Sequence, residues 1–186
     1  MIKFSACLGF LLLISHGGLR AQDKYFTKKG KVYFNASAKM EKVEATNRSA
    51  ISVIDTKTGN IQFAVLLKGF EFEKALMQEH FNENYVESDK YPKAEFSGLV
   101  LNNADIPYSQ EGNYTAKVKG KLTLHGQTKE VQAEGKITVK NGSLTLNAEF
   151  IILLSDFKID IPNLVKDNIS NDTKISVDCL MEPLKG

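Results

Sequence analysis

From Val32 onward the chain alternates apolar and polar residues with a period of two, and the alternation returns over most of its length. Only an extended strand sends successive side chains to opposite faces, so these stretches read as strands with one apolar and one wet side. Val32, Phe34, Ala36, Ala38 and Met40 share a face against Tyr33, Asn35, Ser37 and Lys39. Ile61, Phe63, Val65 and Leu67 oppose Gln62 and Lys68, and Tyr114, Ala116, Val118, Leu122 and Leu124 oppose a run of Thr and Lys that ends at His125. Val131, Ala133, Ile137 and Val139 form another face, as do Leu144, Leu146, Ala148, Phe150 and Ile152, and finally Ile175, Val177, Cys179 and Met181. Segments near Val32, Ile51, Phe63, Phe96, Tyr114, Val131, Leu144 and Ile175 make about eight strands. Gly59-Asn60 and Asn141-Gly142 supply the positive φ angles of tight hairpins, and His125-Gly126-Gln127-Thr128 reads as a short loop, so the strands are antiparallel neighbours.

None of these strands has the unbroken apolar run of a strand covered on both sides, so one layer has to cover itself. A sheet rolled into a barrel does this, and ~8 strands leave room for side chains or for one small ligand. A two-sheet sandwich is the rival arrangement. The inward positions include Ala36, Ala38, Ala116, Gly120, Ala133, Gly135 and Ala148, small residues that leave space in the interior. A space lined by aliphatic and aromatic groups favours an apolar guest, at ~0.8 kcal/mol per buried CH₂.

Two stretches interrupt the pattern. Between Glu73 and Tyr85 the apolar residues Leu76 or Met77 and His80 or Phe81 fall three to four apart, which predicts a short helix capping the barrel. Pro92 disfavours helix at Tyr91, so 86–92 is an extended connection. The region from Ser155 to Asp172, with Pro162 near its middle, reads as a long connection over the barrel mouth.

The alternation begins only after a different kind of segment. Lys3 precedes an apolar run of about a dozen residues, Phe4 to Ile14, too short for the ~20 residues of a membrane-spanning helix, and small polar residues follow to Ala21. This is the layout of a cleaved export signal, residues 1–21, with residues 22–186 as the mature domain and a periplasmic or secreted destination. Of 24 basic residues, Lys3 and Arg20 fall in the signal, leaving 22 against 22 acidic ones, so no charge argument for nucleic acid or an anionic membrane surface survives. Cys179 is the one cysteine after residue 21 and has no intramolecular partner, so the fold rests on its apolar core.

Motifs for chemistry are sparse. No G-x-S-x-G, H-E-x-x-H or C-x-x-C accompanies His80 and His125, so neither a hydrolytic nucleophile nor a zinc site is indicated. Glu79, Glu83, Glu87 and Asp89 lack the loop spacing of a calcium site and read as a solvated acidic face. No catalytic residue, metal or cofactor is expected.

Three stretches together carry a likeness. His80-Phe81-Asn82-Glu83 leads through Ser88-Asp89-Lys90-Tyr91-Pro92 to Ala94-Glu95-Phe96-Ser97; Gly112-Asn113-Tyr114 leads to Gly120-Lys121-Leu122-Thr123-Leu124-His125-Gly126-Gln127-Thr128-Lys129; and Ser155-Asp156-Phe157-Lys158-Ile159 follows. In order and spacing these resemble the YceI-like family of bacterial periplasmic proteins. The resemblance implies a lipocalin-like antiparallel barrel with a helical cap, holding a polyisoprenoid or other long amphiphile without catalysis. On that reading a long-chain isoprenoid or fatty amphiphile lies against Phe34, Phe63, Val65, Leu67, Phe96, Tyr114, Val118, Leu122, Leu124, Ile137, Leu146 and Phe150, with Tyr91, His80 or Asp156 near a head group. The alternatives are a filled barrel that docks another envelope protein, or a hydrolase using His80 or His125. A homodimer through the cap is compatible with the pattern.

Overall fold

The computed structural model describes residues 23–184. The segment read as an export signal, with its cleavage point after Ala21, lies outside the described residues. The alternating stretches form β1 (Lys24–Ser37), β2 (Glu44–Asp55), β3 (Asn60–Leu66), β5 (Lys93–Val100), β6 (Gly112–Leu124), β7 (Gln127–Lys140), β8 (Ser143–Leu153) and β9 (Ile169–Pro183), with a two-residue β4 (Glu71–Phe72) between β3 and β5. All pairings are antiparallel. The order runs β1-β9-β8-β7-β6-β5-β3-β2, and β2 pairs again with β1, which closes an eight-stranded barrel and sets aside the sandwich. β4 adds to the outer stretch of β2 through Ala45↔Phe72 and Thr46↔Glu71.

The hairpin chemistry is as the residue types require. His125 and Gly126 have φ of 50° and 70°, and Asn141 and Gly142 have 50° and 72°. Two consecutive positive φ angles make the tight turn whose twist matches its strands, and the ladders run up to both turns at Leu124↔Gln127 and Lys140↔Ser143. The chain thus places 38–43, 67–92, 125–126 and 154–168 at one end of the barrel, called upper here, and 56–59, 101–111, 141–142 and both described termini at the other.

The predicted helix is present in two parts. α1 spans Ala75–His80 and continues into a wider turn over Phe81–Tyr85, where the Val86 N–H donates to the Phe81 carbonyl at 3.0 Å. Met77 and Phe81, four residues apart, face the barrel, while Leu76 is exposed.

The ladders are not uniform along the axis. β7 and β8 pair only from Lys140↔Ser143 to Glu134↔Glu149; above that rung β7 keeps β6 alone and β8 keeps β9 alone. β2 and β3 pair only between Ile51↔Ala64 and Ile54↔Ile61, and the buried Asn47 bridges the divergence by donating from Nδ2 to the Leu66 carbonyl at 2.9 Å. The core divides accordingly. A lower cluster of Tyr25, Ile54, Val139, Leu144, Cys179 and Met181 fills its end, while an upper cluster gathers Phe34, Leu67, Phe70, Val86, Ile152 and Phe157 under the cap.

Two expectations are corrected. Met40 does not continue the inward face: β1 ends at Ser37, the chain turns outward, and Met40 is 76% exposed while its N–H donates to the Asp167 carbonyl. Gly120 does not create free space. It sits opposite Gly98 in the β5–β6 ladder, and a Cβ on either glycine would lie 2.5 Å from Phe96 Cζ, so the Phe96 ring occupies the volume that the missing side chains release.

Candidate functional site

Where the ladders diverge, the barrel is hollow. A cavity of ≈ 320 Å³ extends from the cap down to Ile61, Val100, Ile137 and Leu146. This is at the lower end of the range for ligand pockets, ~300–1,000 Å³. Below those residues the interior is closed by the lower cluster, with Tyr108 donating from its hydroxyl to Asn103 Oδ1 at 2.7 Å. Burial pushes the Tyr108 phenol up to about 12, so it stays neutral in the floor of the barrel.

The roof is aromatic. Phe34 stacks on Phe81 with ring centroids 5.5 Å apart and meets Phe70 and Phe72 edge-on at 5.3 and 5.7 Å. Phe81 in turn contacts Phe70 and Phe72 at 5.8 and 5.1 Å. Edge-to-face contacts at these separations add ~0.5–1.5 kcal/mol per pair to simple burial. The local sequence explains the arrangement: Phe70 and Phe72 flank Glu71 in an extended segment and so face the same way, onto the helix that carries Phe81.

Of the twelve residues expected along a guest's chain, all except Tyr114 line this cavity. Tyr114 points inward too, but at the level of the lower cluster, where its hydroxyl donates to the Gln110 carbonyl at 3.1 Å. The alternation identifies a side chain's face and carries no information about its height in the barrel. Sequence reasoning missed Phe70, Phe72, Phe81, Tyr85, Ile152 and Thr173 as lining residues. The Phe70-Glu71-Phe72 alternation was a visible signal for two of these. The small residues Ala36, Ala116, Ala133, Gly135 and Ala148 do border the space, Ala38 does not, and Gly135 also serves a close strand contact, since a Cβ there would lie 2.5 Å from the Asn147 carbonyl.

Polar side chains gather at the upper end of the cavity, Glu41, His80, Tyr85, Asn168 and Thr173, while Glu95, Lys136 and Asn147 border it from positions that alternate with the inward residues of β5, β7 and β8. Burial raises the Tyr85 phenol above its ordinary value and keeps it neutral. Tyr91 and Asp156 do not line the space.

Tyr91 belongs to a second feature, a pin centred on His125. The His125 ring presents Nε2 to Glu87 Oε2 at 2.8 Å and Nδ1 to the Phe157 carbonyl at 3.0 Å, with Tyr91 edge-on at 4.9 Å. Both neighbours are acceptors, so the imidazolium form satisfies both contacts at once. The hydrogen bond from His125 holds the Glu87 carboxyl below the usual carboxylate range, helped by Lys90. One histidine thereby joins the β6–β7 turn to the connection after the helix and to the turn Leu154–Phe157. With both ring nitrogens engaged, His125 has no free nitrogen to activate a nucleophile. Of the other acidic residues near the helix, Asp89 pairs with Lys68. Among the described residues, no group of three or more His, Cys, Asp or Glu is gathered for a metal ion, and no helix is long and apolar enough to cross a membrane.

The fold recurs in solved structures. A polyisoprenoid binding domain from Saccharophagus degradans, implicated in plant cell wall breakdown, superposes with a TM-score of 0.74 at 14% identity, covering 88% of this chain and 99% of that one. BcnA from Burkholderia cenocepacia gives 0.67 at 17% identity, covering 82% and 96%. The Campylobacter jejuni YCEI protein gives 0.57 at 17% identity with full coverage of both chains, 100% each. No curated protein matches the chain. The sequence model of the YceI-like domain matches residues 20–181, most of the barrel and all of its capping helix, and the chain belongs to the YceI-like family.

Proposed function

We propose that this protein is a non-catalytic carrier or reservoir, exported to the periplasm or beyond, that holds a long apolar or amphiphilic molecule of polyisoprenoid or fatty-acid type in the upper half of its barrel. The observation that carries the reading is the cavity itself: predominantly aliphatic and aromatic walls, a closed floor, and inward polar side chains gathered toward the helix end. Such a space rewards a hydrocarbon chain by ~0.8 kcal/mol per buried CH₂ and offers little to a polar solute. The likeness to a polyisoprenoid binding domain supports the same class of guest. The engagement of both His125 ring nitrogens supports a binding role over catalysis.

The test is native mass spectrometry of the mature protein purified from its own envelope, followed by organic extraction and identification of the released mass. A stoichiometric long-chain adduct is expected. A clean apo mass that persists after incubation with isoprenoid and fatty amphiphiles would defeat the carrier reading and favour a filled barrel that docks another protein.

A further inference from the structure

Thr173 is out of keeping with the wall it stands in. It lies on the inward side of β9 opposite Ile152 of β8, is 3% exposed, and borders the cavity. Thr173 Oγ1 and Asn82 Oδ1 are the buried side-chain polar atoms without a hydrogen-bond partner among the described residues. Asn82 lies along the outer side of the cap, where its Nδ2 donates to the Gln78 carbonyl. Thr173 alone of the two faces the ligand space. Its inward neighbours, Ala36, Ile152 and Ile175, are apolar. Burying a hydroxyl unpaired is unfavourable, and valine has nearly the same shape without that penalty. A threonine here makes physical sense when something inside the barrel meets its hydroxyl.

The charge around this level narrows what that something is. The polar side chains at the upper end of the cavity are Glu41, His80, Tyr85, Asn168 and Thr173. The one Lys or Arg bordering the space, Lys136, is exposed at an outward position of β7 next to the buried Ile137, and Glu41 is itself engaged by Lys74 at 2.9 Å. A phosphate or carboxylate drawn to this depth would find no cation to offset its desolvation. A hydroxyl or carbonyl needs only one good partner.

We infer that Thr173 is the hydrogen-bonding anchor for an uncharged head group, an alcohol or a ketone-type carbonyl, of a long-chain guest that lies tail-down with its head beneath the capping helix. This rests on the carrier reading above and adds the chemical class of the head and the residue that reads it.

The experiment compares wild type with Thr173→Val and Thr173→Ser, using displacement of a naphthylphenylamine dye by 1-tetradecanol, tetradecyl phosphate and tetradecane. In the wild type, tetradecanol is expected to bind tightest. Thr173→Val should weaken tetradecanol by roughly three- to tenfold, the loss of one neutral hydrogen bond, and leave tetradecane unchanged. Its thermal midpoint should equal or exceed that of wild type, and Thr173→Ser should keep the preference for the alcohol. Equal tetradecanol affinity in wild type and Thr173→Val, with both still binding tetradecane, would overturn the inference and leave the carrier reading standing. Tightest binding of tetradecyl phosphate would overturn the uncharged head. If wild type bound none of the three, the carrier reading itself would fail.

Discussion

Replacing Val118 by Trp tests whether a guest's tail runs down the barrel. Val118 stands on β6, opposite Val100 on β5 and Ala133 on β7, and all three line the cavity. The inward neighbours Ala116 and Ala133 are small, so an indole at this position enters existing space and does not push into packed atoms. Overfilling a packed core costs about 1–3 kcal/mol, so the change here is expected to lower stability by less than about 1 kcal/mol. The effect on binding is larger. The indole bars the lower part of the cavity to a chain that would otherwise pass Val118. Excluding about four methylenes at ~0.8 kcal/mol each removes ~3 kcal/mol, close to 200-fold in Kd. The assay pairs a thermal melt with displacement of a fluorescent fatty probe. A Val118→Trp protein that melts like wild type and binds a long-chain probe equally well would refute the tail-down geometry. A protein that melts far lower would show that the interior at this level is filled.

Three further outcomes follow from particular contacts. Gly120→Ala places a Cβ 2.5 Å from Phe96 Cζ and from the Ser97 carbonyl, and 2.6 Å from Gly98 Cα, so backbone must move; a loss of about 2 kcal/mol or more in urea unfolding is expected. Burial, with Asp178 adding to it, pushes the Cys179 thiol from 9.0 up to about 12. The unfolded chain therefore ionises first: stability should be level below pH ~8.5 and fall by up to about 4 kcal/mol toward pH 12, with a shallower slope in Cys179→Ala measured by urea titration at stepped pH. Because Glu87 is held below its ordinary value by His125, its contribution is present above pH ~4.3 and is lost as pH falls through the lowered folded value. Glu87→Gln should accordingly speed hydrogen exchange at the amides of 86–92 at neutral pH, and unaltered exchange there would remove His125 from its pinning role.

The strands were legible because their polarity repeats every two residues and because Asn141-Gly142 and His125-Gly126 can adopt the positive φ angles of tight turns. β4 was not legible, since two residues cannot display a period. Met40 was misassigned because the alternation runs past the last rung of β1, and polarity does not reveal where a ladder stops. Thr173 was overlooked because it falls between a connection read as ending at Asp172 and an apolar face read as beginning at Ile175, although β9 starts at Ile169. The pin at His125 joins residues 38 and 32 positions away, Glu87 and Phe157, which no local pattern can announce. The role of Gly120 was hidden for a similar reason: its missing side chain accommodates a ring from the neighbouring strand.

The two storeys of the barrel differ in what they ask of evolution. In the lower storey, Ile54, Leu144, Cys179 and Met181 are sealed from solvent and touch one another's neighbours on all sides, so an exchange there disturbs several strands together. On the upper walls a side chain borders open volume, and an exchange among aliphatic and aromatic types alters the shape of the space before it alters the ladders that hold the strands. The molecule can therefore be retuned toward a different guest by drift in one half of its interior, while the other half preserves the architecture and is released from any duty to recognise anything.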